Sequence, residues 1–507
     1  MGALSGVTGS VLLAAEELAQ RVRVNLQEAG SSLAIAFDGQ EFDWEWLSDS
    51  AGKFDLLIAA AALLHRTPTA LIARNRPGQI AILASNIAAR RATHMIHAAQ
   101  APAVIAREIA ELGVSLIVAD EQDWHDDLIA VARSVGAAGV IIGADHALSL
   151  HPMLARAHPR QAADFDPELA FGILSSGTTG LPKRTPLAWS TIAAAVGDAA
   201  RAHAGSDQSG SAQIMLHPLG NIAGVSFLVP ALAARQPVVL LEKFTVESWT
   251  NVVQRYRPVR SSLPAAALRM VLEAEVAPAR IGSLKVVAVG GSRIEPELRG
   301  AFEERYGIPV LLAYGATEFG GVVANWSLDL YARCGAAKRE SVGLPSPGVI
   351  LKIVDPESRH ELPAGSIGII AAQVARLGGQ WLYTSDLGAI DQDGFLYLHG
   401  RADGAINRGG FKIVPETVEH VLRGFPGVRD AVVVGLPDER LGEVPVAMVE
   451  QDPAGPLLDR SDLLNQLRSR LTAYQMPVKL AVVAQLPRTG TLKIALGEAR
   501  RQLAELP

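Results

Sequence analysis

The chain has 507 residues and a formal net charge of −6, too long for one compact core and long enough for two or three domains of roughly 100 to 200 residues each. Hydrophobic residues make up 49% and charged residues 19%, which excludes a disordered chain, and the mild acidity argues against nucleic acid as the main partner. The most apolar run, LLIAAAALL at 56–64, is too short to span a bilayer and is closed by His65 and Arg66, so it reads as a buried helix and no membrane span is expected. The start MGALSGVTGS lacks the basic region of a signal peptide. A single cysteine, Cys334, excludes an internal disulfide framework and a thiolate metal cluster, and a cytoplasmic location is expected.

In chain order, SNIAARRATHMIHAAQ and APAVIAREIAELG read as helices, VSLIVAD as a buried strand, and AGVIIGAD repeats the strand signal. The alternation returns in QPVVLLEKF, TVESWTNVVQRYRP and LKVVAVGG, then in AFEERYG and IPVLLAYG. Helices alternating with continuously apolar strands predict an α/β fold with sheets covered on both faces. Between about 341 and 400 the glycine-punctuated runs GVILKIVD, GSIGIIAAQ and DGFLYLHG predict a β-rich subdomain. After GRADGAINRGG at 400–410, PETVEHVLRGF reads as a helix with Pro415 near its start, and VRDAVVVGLPDERLGEVPVAMVE as a pair of strands. In SDLLNQLRSRLTAY, Leu463, Leu467, Leu471 and Tyr474 share one helical face. The expected organisation is a large N-terminal domain over 1–400 and a small α+β domain over 401–507, with the boundary near Arg401 to Gly404.

The stretch SSGTTGLPK at 175–183 follows an apolar strand-like run and supplies hydroxyl and backbone donors, then a lysine held out by Pro182. Those are the parts that bind a polyphosphate. It is not a Walker loop, because Pro182 and Thr178 stand where that pattern demands glycine or lysine. The competing reading is a Ser/Gly-rich surface turn.

Four further segments stand downstream: YGATE at 314–318, WLYTSDLGAIDQDG at 381–394, GRADGAINRGGFKIVP at 400–415 and LPRTGTLK at 486–493. Together with SSGTTGLPK they resemble, in order and spacing, the motifs of the class I adenylate-forming superfamily, which contains acyl-CoA synthetases, adenylation domains of peptide synthetases, and luciferases. The resemblance covers roughly 165–507. It implies ATP, Mg²⁺ and coenzyme A as cofactors and a small carboxylic acid as substrate, with the small domain mobile.

By this resemblance Ser175, Ser176, Gly177, Thr178, Thr179, Gly180 and Lys183 hold phosphates, and Thr317 touches the α-phosphate. Glu318 is the magnesium carboxylate, suited to a hard cation that keeps several waters. Tyr314 lines the adenine slot, although an aromatic at the end of a buried strand is often core packing. Gly290, Gly291 and Ser292 close a strand where adenine can approach the backbone. Asp386 accepts from the ribose hydroxyls and Arg401 meets the ribose from the other side. Lys493 sits between the attacking carboxylate and an α-phosphate oxygen, a place for a compact point charge. Asp403 is the hinge of the small domain, and Gly409 and Gly410 flank the pantetheine path. The acyl pocket lies around HPLGNIAG at 217–224, with Asn221 and Gly224, and around Gly320 and Gly321, beside the small Val322 and Ala324.

Some positions depart from the family. Arg184 follows Lys183 in place of glycine, Trp189 stands where a histidine is usual, Leu492 replaces the glycine before the catalytic lysine, and Asn407 replaces a hinge-region lysine. Arg184 either points to solvent or adds a second positive charge near the leaving pyrophosphate. Asn221, where many acyl-CoA synthetases have histidine, gates the pocket, bonds a polar substituent on the acid, or caps the following helix. The aspartate by which amino-acid-activating domains hold an α-amine is not visible near 221.

The expected function is an ATP-dependent carboxylic acid:CoA ligase. The alternatives are an acyl-adenylate ligase that loads a carrier protein, whose extra large-domain insertion this chain lacks, and a noncatalytic nucleotide-binding paralogue. A homodimer is among the assemblies the sequence leaves open.

Overall fold

The continuously apolar runs of the N-terminal part fold as buried parallel strands. The computed structural model describes residues 13–158, 166–175, 183–202, 211–290, 294, 296–402, 404–408, 411–468, 470–490 and 492–506. In it Ala138–Ile142, Leu116–Asp120, Thr69–Ala73, Thr93–His97 and Leu169–Ser175 lie parallel, and Leu148–Leu150 and Lys183–Ala188 close the two edges antiparallel. Thr69–Ala73 and Leu116–Asp120 are buried at every position, as sheets covered on both faces require.

Two expectations need correction here. SNIAARRATHMIHAAQ is the end of the helix Pro77–Ala89 followed by the strand Thr93–His97, with the helix stopped at Arg90, whose φ is 50°. Residues 77–87 are all buried, so the helix has no polar face and its apolar signal runs into that of the strand. The run at 56–64 straddles the end of the helix Trp44–Ala60. Leu57 and Ile58 are buried, but Leu56 is 68% exposed and Leu64 82% exposed, so this is the end of an amphipathic helix.

A second mostly parallel sheet carries the site. Its strands Arg260–Ser262, Val286–Gly290 and Val310–Ala316 are parallel, and Gly321–Asn325 and Leu344–Pro345 add antiparallel strands at one edge. The helix Val246–Tyr256 that packs beside it opens on a capping box between Thr245 and Ser248. A smaller sheet contains Gln213–Met215, Val238–Leu240, Leu33–Phe37 and Gln40–Asp43. The β-rich segment is an antiparallel sheet of Val349–Val354, Gly368–Val374, Trp381–Ile390 and Leu396–Arg401.

The C-terminal part has its own sheet and core. Val428–Asp438 and Gly442–Gln451 form the long antiparallel pair, Lys479–Val483 adds in parallel, and Ile406–Arg408 and Phe411–Ile413 complete the sheet. The helix Pro415–Arg423 starts on its proline. The helix Arg460–Leu467 is shorter than its sequence signal, yet Leu471 and Tyr474 pack with Leu463 and Leu467 in one cluster. The architecture is α/β, a large N-terminal domain and a small C-terminal one.

Candidate active site

The residues expected at the ribose and adenine meet across two sheets. Tyr314, on Val310–Ala316, donates its hydroxyl to Asp386 Oδ2 at 2.5 Å. Asp386 and Arg401 face each other on neighbouring antiparallel strands, with Arg401 Nη1 at 3.2 Å from Asp386 Oδ1. Asp386 is fixed from its backbone too, since its N–H donates to Thr384 Oγ1 at 3.0 Å. Tyr314 is 93% buried and rests edge-on against Phe319, so its ring packs in the core while its hydroxyl reaches Asp386. Burial, with the Asp386 charge beside it, raises the Tyr314 pKa and keeps the hydroxyl a donor.

Strand Val310–Ala316 turns into Gly321–Asn325 through the 3₁₀ turn Thr317–Phe319, which carries Thr317 and Glu318. Gly320 ends the turn at φ 64°, a left-handed position, and a Cβ there would meet Thr191 Cγ2 at 2.6 Å. Glycine at 320 is therefore required by the turn. Gly321, at φ 128°, is more open and faces Ser226. Val322 is exposed, whereas Ala324 is fully buried and belongs to the core rather than the pocket. Glu318 stands exposed at the tip. Among the described residues no group of three or more His, Cys, Asp or Glu could cage a metal. A lone hard carboxylate open to water fits Mg²⁺, which keeps waters and takes its other ligands from phosphate.

The loop His217–Asn221 is pinned by buried Asn75. Its amide donates to His217 O at 3.1 Å and to Leu241 O at 3.2 Å, and its Oδ1 accepts from Leu219 N–H at 2.9 Å. His217 Nε2 lies 2.9 Å from Ser262 Oγ, and its ring stacks on Phe227 with centroids 5.2 Å apart. Burial, with the neighbouring Lys493 ammonium, pushes the His217 pKa down to about 4, so the imidazole is neutral. Asn221 takes the N-cap position of the helix Ile222–Ala233 but its side chain makes no capping bond, which disfavours the capping alternative. Gly224 serves close packing of helix on loop, since a Cβ there would meet Pro218 O at 2.4 Å and Leu219 Cα at 2.7 Å.

Lys493, from the small domain, comes close to His217. A tight turn presents it, with Leu492 N–H donating to Thr489 O at 2.9 Å and Thr489 N–H to Lys493 O at 2.7 Å. The residue keeps solvent access, yet its ammonium lies among protein atoms, and that desolvation lowers its pKa. Leu492 adopts φ 62°, the left-handed conformation natural to the glycine it replaces, and its side chain packs on the large-domain core. Arg429 of the small domain grips Glu273 of the large one, Nε to Oε1 at 2.9 Å.

Two departures resolve. Arg184 does neither of the two things expected of it. Its guanidinium donates to Met95 O at 3.0 Å, Gly172 O at 2.8 Å and Glu108 Oε2 at 2.8 Å, tying Lys183–Ala188 to the neighbouring strands and to the helix Pro102–Leu112. Trp189 is fully buried against Phe171, filling the core. Gly290 ends its strand beside Ala313. Cys334, half-buried at the end of Leu328–Cys334, packs on the core. Ser176, Gly177, Thr178, Thr179, Gly180, Gly291, Ser292, Asp403, Gly409 and Gly410 lie outside the described residues, as do the side chains of Ser175, Lys183 and Asn407. Sequence reasoning did not single out His217, although it heads the HPLGNIAG stretch, and it missed Ser262, Asn75 and Arg376, none of which falls on a motif used to find the site.

A large α/β domain with a small C-terminal one that brings Lys493 beside His217 is the architecture of the two-domain adenylate-forming ligases. The sequence pattern of the AMP-binding enzyme family matches residues 23–375, and that of the AMP-binding enzyme C-terminal domain matches 417–493. The chain belongs to the AMP-binding enzyme family. It is 30% identical over 368 residues to 2-succinylbenzoate–CoA ligase of Enterococcus faecalis, covering 69% of this chain and 73% of that protein. It is 31% identical over 351 residues to the fatty acid–[acyl-carrier-protein] ligase ScoC of Streptomyces coeruleorubidus, covering 65% and 66%. In fold it resembles ATP-bound MatB from Rhodopseudomonas palustris, with a TM-score of 0.82 at 22% identity over 97% of this chain and 99% of that one. It also resembles MenE from Bacillus subtilis with ATP and magnesium, with a TM-score of 0.77 at 21% identity over 96% and 99%. No helix among the described residues is long and apolar enough to cross a membrane.

Proposed function

We propose that the protein is an ATP-dependent carboxylic acid:CoA ligase working in two steps, with ATP, Mg²⁺ and CoA as its cofactors. The observation that carries the reading is Lys493, brought by the small domain to the cleft beside His217, on a large domain that holds the Tyr314–Asp386–Arg401 cluster.

In the first step a carboxylate oxygen of the acid attacks the α-phosphorus of ATP, the bond to the pyrophosphate oxygen breaks, and an acyl-adenylate remains. Lys493 neutralises charge on the attacking carboxylate and the α-phosphate oxygen as the bond forms. Asp386 accepts from the ribose hydroxyls, and Arg401 keeps that carboxylate aimed. In this reading Thr317 touches the α-phosphate, Glu318 holds its cation, and Ser175, Ser176, Gly177, Thr178, Thr179, Gly180 and Lys183 supply the phosphate loop. Bound Mg²⁺ supplies charge neutralisation on the phosphates, held by Glu318. His217, neutral, sets no second positive charge against Lys493.

In the second step the CoA sulfur attacks the acyl carbonyl, AMP leaves with the bonding pair, and the thiol proton passes to solvent. No protein nucleophile is needed. The small domain, from about residue 401, swings about Asp403 to bring Gly409 and Gly410 beside the thiol arm, a motion that a short hinge absorbs. Asn221 and Gly321 border the acyl pocket. A cytoplasmic site of action belongs to this reading, where ATP and CoA are at hand, with small molecules rather than nucleic acid as partners. A homodimer is compatible with it.

The test is pyrophosphate release across a panel of fatty, aryl and alicyclic acids, followed by acceptor assays with CoA and with a loaded-ready carrier protein. Acid-dependent pyrophosphate release with a CoA thioester product supports the reading. Release with a carrier thioester alone moves it to the carrier-loading alternative, and no release with any acid leaves the noncatalytic paralogue.

A further inference from the structure

The turn that carries Glu318 is not held by its own strands alone. Arg376, in the short 3₁₀ turn Ala375–Leu377 between Gly368–Val374 and Trp381–Ile390, reaches under it. Its Nε donates to Phe319 O at 3.1 Å and its Nη2 to Val322 O at 2.9 Å, one carbonyl from each end of the segment that follows Thr317 and Glu318. Its third arm, Nη1, meets Asp198 Oδ2 at 3.4 Å. Asp198 lies on the helix Trp189–Ala202, which leaves directly from Lys183–Ala188, the strand that ends the SSGTTGLPK segment. The same helix touches the turn again: Thr191 Oγ1 donates to Arg376 O at 3.3 Å, and Thr191 Cγ2 fills the space where Gly320 lacks a Cβ. The Arg376 side chain is 5% exposed. Burial lowers its pKa while Asp198 opposes that fall.

A planar guanidinium with donors in a fixed fork is the group that can bond two carbonyls and a carboxylate at once, and lysine cannot match that geometry. We propose that Arg376 is a positioning residue that locks the Thr317–Glu318 turn to the helix Trp189–Ala202, so that Glu318 is held in place for the cation of MgATP. This rests on the proposed reaction with ATP. Arg376 touches no substrate; it acts through the backbone of Phe319 and Val322 and through Asp198.

The experiment compares equilibrium binding of MgATP and of adenosine to the full-length parent, Arg376→Met, Arg376→Lys and Asp198→Asn, with thermal melts alongside. Adenosine engages the ribose site at Asp386 and Arg401 but neither the phosphate loop nor the cation. Arg376→Met is expected to weaken MgATP about tenfold or more, the size of losing charge-assisted bonds, while adenosine changes less than about threefold. Arg376→Lys is expected to recover part of the loss. Asp198→Asn, which removes the charge from the far link, is expected to weaken MgATP by about threefold with an unchanged melt, and it stands in if Arg376→Met does not fold. Equal weakening of both ligands by Arg376→Met, or MgATP binding at the parent level in that variant or in Asp198→Asn, overturns the assignment. A parent that binds MgATP but releases no pyrophosphate with any acid contradicts the ligase reading and leaves this one standing; a parent that binds no MgATP overturns both.

Discussion

The Tyr314 hydroxyl donates to Asp386 across 2.5 Å while Arg401 holds the other oxygen of the same carboxylate at 3.2 Å. The carboxylate is thereby aimed before any nucleotide arrives. Asp386→Ala should raise the KM for ATP by about 10- to 100-fold, the worth of a charged hydrogen-bonding group. Tyr314→Phe, which removes only the orienting bond, should raise it by about three- to tenfold. Steady-state pyrophosphate release against ATP concentration checks both, and an unchanged KM in Asp386→Ala would remove this residue from the ribose site.

Leu492 shows two opposing effects at one position. Its left-handed backbone costs an L-residue roughly 1–2 kcal/mol, and its packing on the large-domain core offsets that. Leu492→Gly removes both the strain and the contact, whereas Leu492→Ala removes only the contact. The Ala variant should therefore be the less stable by about 1 kcal/mol in denaturant melts. Both should slow adenylation more than thioester formation from supplied acyl-adenylate, because the contact seats the turn that carries Lys493. Equal stability of the two variants would mean that the left-handed backbone carries no cost here.

His94 and His217 are both pushed down to about 4, mainly by burial. Their folded pKa values lie below the unfolded value of 6.5, so above pH 6.5 they are neutral in both states and contribute nothing to the pH dependence. Between 6.5 and 4 the unfolded chain binds protons that the folded chain refuses, and stability falls by up to about 1.4 kcal/mol per pH unit for each group. The melting temperature should drop as pH is lowered from 7 to 4.5, and His94→Gln should flatten that drop. A pH-independent melting temperature over this window would show that neither imidazole is held neutral.

Gly410 tests the second step. If a thin thiol-bearing arm passes close to the backbone there, Gly410→Leu should leave pyrophosphate release nearly intact and slow thioester formation severely. Single-turnover measurement of both half-reactions decides it, and thioester formation at the parent rate would rule out this path.

Much of this was legible in the sequence because it rests on local signals. The apolar runs LKVVAVGG and IPVLLAYG became the strands Val286–Gly290 and Val310–Ala316, and the hairpin at 428–451 and the proline-started helix at 415 formed as read. The strand Thr93–His97 was hidden because the preceding helix is buried on every side, which erases the period that tells helix from strand. Asp386 and Arg401 are readable as motif members, but their partnership with Tyr314 joins two sheets and has no sequence signature. Arg184 was misread because its three acceptors, Met95, Gly172 and Glu108, come from separate parts of the chain. Arg376 and His217 were missed for the same reason: what they do depends on which backbone or ring the fold places beside them.

The central claim is that Lys493 serves the adenylation transition state and nothing later. The most direct measurement is Lys493→Ala in two separate half-reactions, acid-dependent pyrophosphate release and thioester formation from supplied acyl-adenylate and CoA. The account predicts a loss of about 10²- to 10³-fold in the first, the scale for removing one preorganised charge from a transition state, and a near-parent rate in the second. Equal loss in both, from a variant with the parent's melting temperature, would contradict it.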